Sequence, residues 1–294
     1  MEHASTFDFS VGERYSAIDD ILADDMLDLI AGVKADRWWF QRSYVGSKSQ
    51  LSVTFKTPDP LDNSIPRILS EFDKVTLRAT SRASKERLSY VPVPDETYDS
   101  EVGEYYAVGA AQGRDHSEDW LGEYSIKLND FERIMSLLSG FSLKLIEEER
   151  DGNPDLRKDG MPFLIYSILQ TFNDRSEIPK VVEQLCAEWV GRASVPIEFS
   201  SRMKEAAQMK ATTSALDTSI FRFVAHERLL QELESNLLEI KAILSAGGNL
   251  ESEEDLLYAT KLVIEASTNM IGFPYFELIY LANLAPACSI GGRS

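Results

Sequence analysis

The sequence is poor in the side chains that most often build metal centres and nucleophilic sites. Its 294 residues include three histidines and two cysteines. Three histidines do not supply a His-rich metal centre within one chain. Cys186 and Cys288 lie far apart, without metal-ligand spacing or a disulfide framework. We therefore expect no metal, no cofactor and two reduced thiols in a cytoplasmic protein.

The common nucleotide-binding and catalytic motifs are also missing. The sequence has no G-x-G-x-x-G, no Walker A motif, no G-x-S-x-G nucleophile elbow and no H-E-x-x-H. These absences favour a protein that binds or assembles over one that catalyses a reaction.

No apolar run is long enough to predict a membrane span. The most apolar stretch, residues 270–288, is interrupted by Pro274, Glu277, Asn283 and Pro286. A spanning helix needs roughly 20 apolar residues without such breaks. The N-terminal residues lack the basic and apolar regions of a signal peptide. We expect buried core at 270–288 and no membrane partner.

Apolar periodicity predicts an α+β protein with a division near residue 155. A first helix is expected at 18–33, and alternating apolar residues at 51–55 indicate a half-buried strand. Further segments before the division read as strands at 75–79, 88–93, 104–111, 123–128 and 141–145, with short helices at 65–72 and 131–139, the second ended by Gly140. Residues 1–155 thus form a mostly antiparallel sheet with flanking helices, and residues 156–294 a helical domain with helices opening at Pro162, Pro179, Ser200 or Ser201, and Ser252.

The negative charge of the chain has one basic interruption. The 48 acids and 30 bases give a net charge of −18, which excludes a uniformly basic nucleic-acid coat. Residues 34–93 nevertheless hold eleven bases and six acids. Guanidinium groups beside aromatic rings suit phosphates and stacked bases. The candidate residues for binding nucleic acid or another anion are Arg37, Trp38, Arg42, Arg78, Arg82, Lys85 and Arg87.

A simpler interpretation of this basic segment remains open. The aromatic residues can belong to the core, and the bases can pair with the acidic first helix or with a partner protein. That helix carries Asp20, Asp24 and Asp28 at four-residue spacing on one face. Such a row is usually solvated or meets a basic surface, so it predicts no metal site.

One charged loop is where an enzyme centre is expected if the protein is catalytic. Gly109 and Gly113 precede Arg114, Asp115 and His116, which bring several ionisable groups within a few residues. A general base could be assembled there, although a solvated hairpin loop is the simpler interpretation.

A long helix from about Thr218 to Ala246 carries the most regular apolar pattern. Phe223, Leu230, Leu237 and Leu244 are spaced by seven, as are His226, Leu233 and Ile240. An intramolecular hairpin with the helix after Ser252 accounts for one stripe. Leu238 lies off that seam, so a second surface is expected to cover it. The candidate interface residues are Leu230, Leu233, Leu237, Leu238 and Ile240.

The leading hypothesis is therefore a non-catalytic cytoplasmic protein that acts through protein contacts. A protein partner or a homo-oligomer is expected, and an acidic antagonist or immunity-type protein is one concrete form. The alternatives are nucleic-acid binding through residues 34–93 and an enzyme of unknown class centred on residues 109–119.

Overall fold

The computed structural model divides the chain into two compact units, Met1–His116 and Ser117–Ser294. It describes residues 3–10, 16–45, 48–57, 66–68, 70–71, 73–75, 78, 106–108, 126–153, 155–192, 197–213, 216, 220, 222–273 and 277–288. The chain is mostly helical with one antiparallel sheet, which agrees with the α+β class in its coarse form. The domain division near residue 155 stays a prediction. None of the helices in these ranges is long and apolar enough to cross a membrane.

The first unit is built on a four-stranded antiparallel sheet. Its elements in chain order are β1 (His3–Ser10), α1 (Ser16–Asp24), α2 (Met26–Val33), β2 (Arg37–Val45), β3 (Lys48–Thr57) and β4 (Tyr106–Val108). The strands lie in the order β2-β3-β1-β4. Trp38 pairs with Phe55 and Phe40 with Val53 across β2 and β3. Cross-strand aromatic and β-branched pairs of this kind stabilise a sheet.

β3 is buried on both faces, although its alternating pattern predicted a half-buried strand. Leu51, Val53 and Phe55 are fully buried, and Ser52 and Thr54 on the opposite face are 6% and 7% exposed. A central strand can be covered on both faces even where one face is polar. The strand itself is confirmed, whereas the prediction that one of its faces is exposed to solvent was wrong.

Two other local predictions for the first unit were wrong. The first helix is broken at Asp25 into α1 and α2. Val75 and Arg78 are helical rather than part of a strand at 75–79, whereas helix is found at 66–68 and 70–71 as expected. No strand was predicted at β1. The strand expected at 88–93 lies outside the described residues, and β4 confirms part of the one at 104–111.

The second unit is a bundle of helices. They are α3 (Leu128–Arg150), α4 (Leu156–Phe172), α5 (Ile178–Arg192), α6 (Ile197–Ala211), α7 (Glu227–Ala246), α8 (Glu253–Ile271) and α9 (Glu277–Leu284), followed by a 3-10 turn at Ala285–Cys288. The helices expected to open at Pro162 and at Ser200 or Ser201 instead begin at 156 and 197. α8 begins as predicted at Ser252, where Ser252 and Asp255 form a capping box.

α3 replaces a predicted helix and strand with one continuous helix. The strand predicted at 141–145 was wrong, because Phe141, Leu143 and Leu145 are buried helical residues. Ser142, which lies between Phe141 and Leu143, is also fully buried, whereas Lys144 is exposed. An alternating pattern therefore does not distinguish a strand from a helix that is packed on several sides.

Gly140→Ala tests the continuity of α3. A Cβ at this position meets nothing within 4 Å. Alanine in a helix interior is favoured over glycine by about 0.8–1.0 kcal/mol, so urea unfolding is expected to show a variant stabilised by about that amount. A glycine that ended a helix with positive φ would give a destabilised variant instead.

Gly160→Ala is expected to have the opposite effect within the same unit. A Cβ there would overlap the ring of Phe223, which is fully buried. That ring also packs against Phe163, with centroids 5.8 Å apart. The overlap is expected to cost about 1–3 kcal/mol in the same urea titration. An unchanged or raised unfolding free energy would contradict this packing.

Candidate functional site

The short helix α9 presents a polar stripe in an otherwise apolar element. Glu277, Tyr280 and Asn283 follow at three-residue spacing and are half-buried. The rest of the helix is buried, namely Leu278, Ile279, Leu281, Ala282 and Leu284. Residues three apart lie on one side of a helix, so these three polar groups share a partly accessible face. Helices α4, α5 and α6 pack on α9 and hold this face in place.

Burial changes the acidity of two groups on the α9 face. It raises the pKa of the Glu277 carboxyl above its usual value, and the charge of Lys158 on α4 partly opposes this effect. Burial also raises the pKa of the Tyr280 phenol. Both shifts favour the neutral, proton-carrying form. Glu277 is thus closer to a proton-transfer group that works near neutral pH than an exposed carboxylate is.

Asn283 and Cys186 stabilise the far end of this face. The Asn283 amide donates to the Ile279 carbonyl at 2.7 Å and to the Cys186 sulfur at 3.3 Å. Burial raises the pKa of the Cys186 thiol to about 11, against smaller opposing effects of Asn283 and Lys204. The thiol is therefore neutral at pH 7 and is a poor nucleophile. Its contribution is to fix α5 against α9.

The α9 face combines the groups that general acid–base chemistry requires. A carboxyl with a raised pKa can take and return a proton, and a phenol that stays protonated can donate a hydrogen bond to developing negative charge. Perturbed titratable groups gather at functional sites, and here Glu277, Tyr280 and Cys186 lie on or beside one short helix. The described residues include no group of three or more His, Cys, Asp or Glu side chains arranged to hold a metal ion.

A second polar cluster, between α5 and α8, has a structural geometry. The Lys261 ammonium is 2% exposed and lies 2.5 Å from the Glu188 carboxylate. The indole N–H of the fully buried Trp189 donates to the Glu265 carboxylate at 2.7 Å. These paired groups join two helices through the bundle interior.

The predicted anion-binding residues are largely turned toward acids of their own unit. Arg42 is buried and its Nη2 atom lies 2.7 Å from Asp19. The Nε atom of Arg78 lies 2.6 Å from the buried Asp25, and its Nη1 atom lies 3.7 Å from Asp28. This is the pairing of the basic segment with the acidic first helix that the sequence left open. A binding role for these residues stays a prediction.

The other candidates in this unit are only partly placed. Arg37 and Trp38 lie half-buried on β2, where the Trp38 ring stacks on Phe40 with centroids 6.3 Å apart. Arg82, Lys85 and Arg87 lie outside the described residues. The same holds for the candidate catalytic residues Arg114, Asp115 and His116.

The long helix begins later than its heptad pattern predicted. α7 starts at Glu227, and His226 occupies its N-cap position with its Nδ1 atom 3.9 Å from Glu148. The seam from Phe223 therefore does not run through one helix, because a turn separates the two parts. Leu233, Leu237 and Ile240 are buried within the unit, Leu230 is half-buried, and Leu238 is 66% exposed. An interface at these positions stays a prediction.

Sequence reasoning missed Glu277 and Tyr280 as functional candidates. Glu277 was noted as one of the residues that break the apolar stretch at 270–288. The available signal was spacing, because polar residues at 277, 280 and 283 punctuate an apolar run at a helical interval. The carboxyl's burial and its altered pKa arise from α4, α5 and α6, which come from distant sequence.

The fold of the chain is similar to that of solved structures of low sequence identity. No family model matches the sequence, and no curated protein does either. Among solved structures, the chain is similar to the tRNA-dependent lantibiotic dehydratase MibB from Microbispora sp. 107891, with a TM-score of 0.58 and 13% identity. That match covers 96% of this chain and 28% of MibB, so the chain spans less than a third of that protein.

Two further structures match over almost their whole length. The pyridine synthase TbtD from thiomuracin biosynthesis gives a TM-score of 0.57 at 15% identity, with 97% of both chains covered. TsrL gives a TM-score of 0.56 at 15% identity, with 96% of this chain and 94% of TsrL covered. These likenesses establish the fold.

The comparisons overturn the prediction of a non-catalytic protein. That hypothesis rested on missing motifs, yet the chain shares its fold with part of a dehydratase and with almost the whole of a pyridine synthase, both of which are enzymes. The motif search was uninformative because each motif belongs to one kind of fold, whereas the same chemistry arises from differently arranged residues on others. The interpretation as an antagonist or immunity-type protein was part of that hypothesis and is wrong as well.

Proposed function

We propose that this protein is an enzyme that catalyses an elimination on a peptide at the α9 face. The observation that carries the proposal is the stripe of Glu277 and Tyr280, where burial raises the pKa of both groups on one accessible side of a helix. The fold supports it, because the similar structures include a lantibiotic dehydratase and a pyridine synthase, and a dehydration is an elimination.

In this proposal Glu277 is the general base and Tyr280 the hydrogen-bond donor. The ionised Glu277 carboxylate takes the Cα proton of a substrate residue. Tyr280 donates to that residue's carbonyl oxygen, where negative charge develops. The electron pair from the Cα–H bond forms the Cα–Cβ double bond as the Cβ–oxygen bond breaks. The leaving group departs with that bond's electrons, and Glu277 passes the proton on.

The charge of the protein favours a substrate that is not strongly acidic. A net charge of −18 repels acidic ligands and attracts cationic ones over several ångströms. The substrate is proposed to arrive with its leaving group attached, since Glu277 and Tyr280 supply the proton transfer and the hydrogen bond that the elimination step itself requires.

The proposal is tested with a synthetic peptide that contains one O-acetylserine. Incubation with the purified protein is expected to release acetate and leave a dehydroalanine, which mass spectrometry detects directly and as its thiol adduct. The matched control is the same peptide with unmodified serine, whose hydroxyl is a poor leaving group. Equal loss of acetate with and without the protein would contradict the function.

The pH dependence of this reaction follows from the direction of the two shifts. Glu277 acts as a base only when ionised, so kcat rises with pH through its raised pKa, above the usual range of a glutamate. Tyr280 donates only while protonated, and its raised pKa keeps it so beyond the usual range of a tyrosine. We therefore expect a rate that rises with pH as Glu277 ionises and that falls only where Tyr280 loses its proton. A rate that falls as Glu277 ionises would contradict the assignment.

The cellular location and the assembly of the protein are two further proposals. Cys186 and Cys288 are free thiols, which supports the cytoplasmic location predicted from the sequence.

The exposed Leu238 supports self-association through α7. Leu238→Asp is expected to change stability by less than about 0.5 kcal/mol and to dissociate the oligomer. Light scattering after size exclusion tests this, and a wild-type mass equal to 33.0 kDa at all concentrations would refute it.

A further inference from the structure

Arg157 joins the ends of three helices in the second unit. It lies in the first turn of α4, and its Nε and Nη2 atoms donate to Oε1 of Glu149 at 2.8 and 2.6 Å. Its backbone N–H donates to Oε2 of the same carboxylate at 2.8 Å. Its Nη1 atom donates to the Ile271 carbonyl at 2.9 Å. Arg157 therefore holds the ends of α3 and α8 against the start of α4.

The Ile271 carbonyl lies where the chain leaves α8 for α9. The last four carbonyls of a helix have no partner inside it, and Arg157 satisfies this one. Gly272 ends the helix with a φ of 100°, and the Phe273 N–H bonds back to the Thr268 carbonyl at 2.9 Å. Glu277, the first residue of α9, follows shortly after. The Arg157 contact thus fixes the C-terminal end of α8, and α4, which carries Arg157, packs directly on α9.

Carboxylates at the end of α3 make this contact unusual. Glu147, Glu148 and Glu149 occupy its last turns, where the helix dipole favours cations. Burial raises the pKa of Glu147, and the charge of Asp151 adds to the effect. An acidic helix end is unfavourable on its own, so the charge-assisted hydrogen bonds from Arg157 to Glu149 stabilise it. Residues that are unfavourable for the local structure in which they lie are typical of functional regions.

We propose that Arg157 is a positioning residue for the α9 site. By fixing the start of α4, it sets the position of Glu277 relative to the charge of Lys158. The proposal rests on the proposed function for its catalytic consequence. Lys158 is the next residue of α4 and is the charged group that acts on Glu277. The other helices packed on α9 bring Cys186 from α5 and Lys204 from α6, and Lys204 acts on the thiol.

Arg157→Lys tests this role while it keeps the positive charge. A lysine ammonium does not reproduce the planar guanidinium, which donates two hydrogen bonds to Oε1 of Glu149 and a third to the Ile271 carbonyl. We expect hydrogen exchange of the backbone amides in residues 277–284 to become about tenfold faster, the factor for losing one charge-assisted hydrogen bond. Arg133→Lys is the matched control, because Arg133 is 40% exposed and pairs with Glu239 at 3.4 Å. It is expected to leave that exchange unchanged.

Titration of Glu277 separates positioning from mere support of the fold. We expect the pKa of Glu277, followed by carbon-13 NMR and assigned with Glu277→Gln, to rise further in Arg157→Lys, because the opposing charge of Lys158 is no longer held in place. In the peptide assay, kcat is expected to fall while KM stays the same. Unchanged exchange, or faster exchange with an unchanged Glu277 titration, overturns the proposal. A shifted titration in a protein whose wild type has no peptide activity refutes only the proposed function.

Discussion

Glu277→Gln is expected to lower kcat for peptide elimination by about 10²- to 10⁴-fold, the contribution of a positioned general base. Glutamine has nearly the same shape as glutamate but does not accept a proton from carbon at neutral pH. Because burial already disfavours the charged carboxylate, the neutral amide is expected to leave the fold intact. The variant should therefore lose activity without losing its helical circular dichroism or its urea midpoint.

Two comparison variants make this result specific. Glu254→Gln changes an exposed glutamate in the first turn of α8, and it is expected to keep wild-type kcat. Tyr280→Phe removes the phenol oxygen and keeps the ring, and it is expected to lower kcat by about 10²- to 10³-fold, as the loss of one oxyanion donor does. Wild-type rates in both Glu277→Gln and Tyr280→Phe would remove the α9 face from the reaction.

Lys261→Met is expected to lower the free energy of unfolding by about 3 kcal/mol, at the lower end of the range for breaking a buried ion pair. The lower end applies because the partner Glu188 is 36% exposed and retains some contact with water. Methionine fills much of the volume of the lysine side chain. The lower free energy of unfolding therefore reports the charge of Glu188, which Lys261 no longer compensates. Urea unfolding followed by circular dichroism measures it.

A second substitution separates the ion pair from packing. Adding Glu188→Leu to Lys261→Met is expected to recover most of the loss, since replacing both members of a buried pair with apolar groups is often neutral. Lys180→Met is the matched surface control, because its pair with Glu253 is 56% and 90% exposed and is expected to contribute less than about 1 kcal/mol. Equal losses for Lys261→Met and Lys180→Met would contradict an interior pair.

Local sequence signals predicted the elements whose patterns agree with their surroundings. The alternation at Leu51, Val53 and Phe55 identified β3, and Ser252 identified the start of α8. The same signals misassigned residues 141–145, because α3 is covered on several sides and its apolar residues do not form a single stripe. The missing information was the arrangement of the helices packed around α3, which a local pattern does not contain.

The candidate site was less predictable than the fold for a related reason. Glu277 carries no motif, and its altered pKa comes from burial among helices distant in sequence. By contrast, the basic residues that stood out in the sequence include Arg42 and Arg78, which the structure places on Asp19 and Asp25. Charge composition identified unusual residues, but whether a charge faces a ligand or an internal partner depends on tertiary packing.

Deuterium incorporation at Cα tests the central claim most directly. A peptide with alanine in place of O-acetylserine keeps the Cα proton but has no leaving group, so proton removal is followed by return of a solvent deuteron in D₂O. The account predicts that the wild-type protein places deuterium at that Cα, that Glu277→Gln does not, and that Glu254→Gln behaves as wild type. Absence of deuterium with the wild type, or equal incorporation with Glu277→Gln, would contradict it.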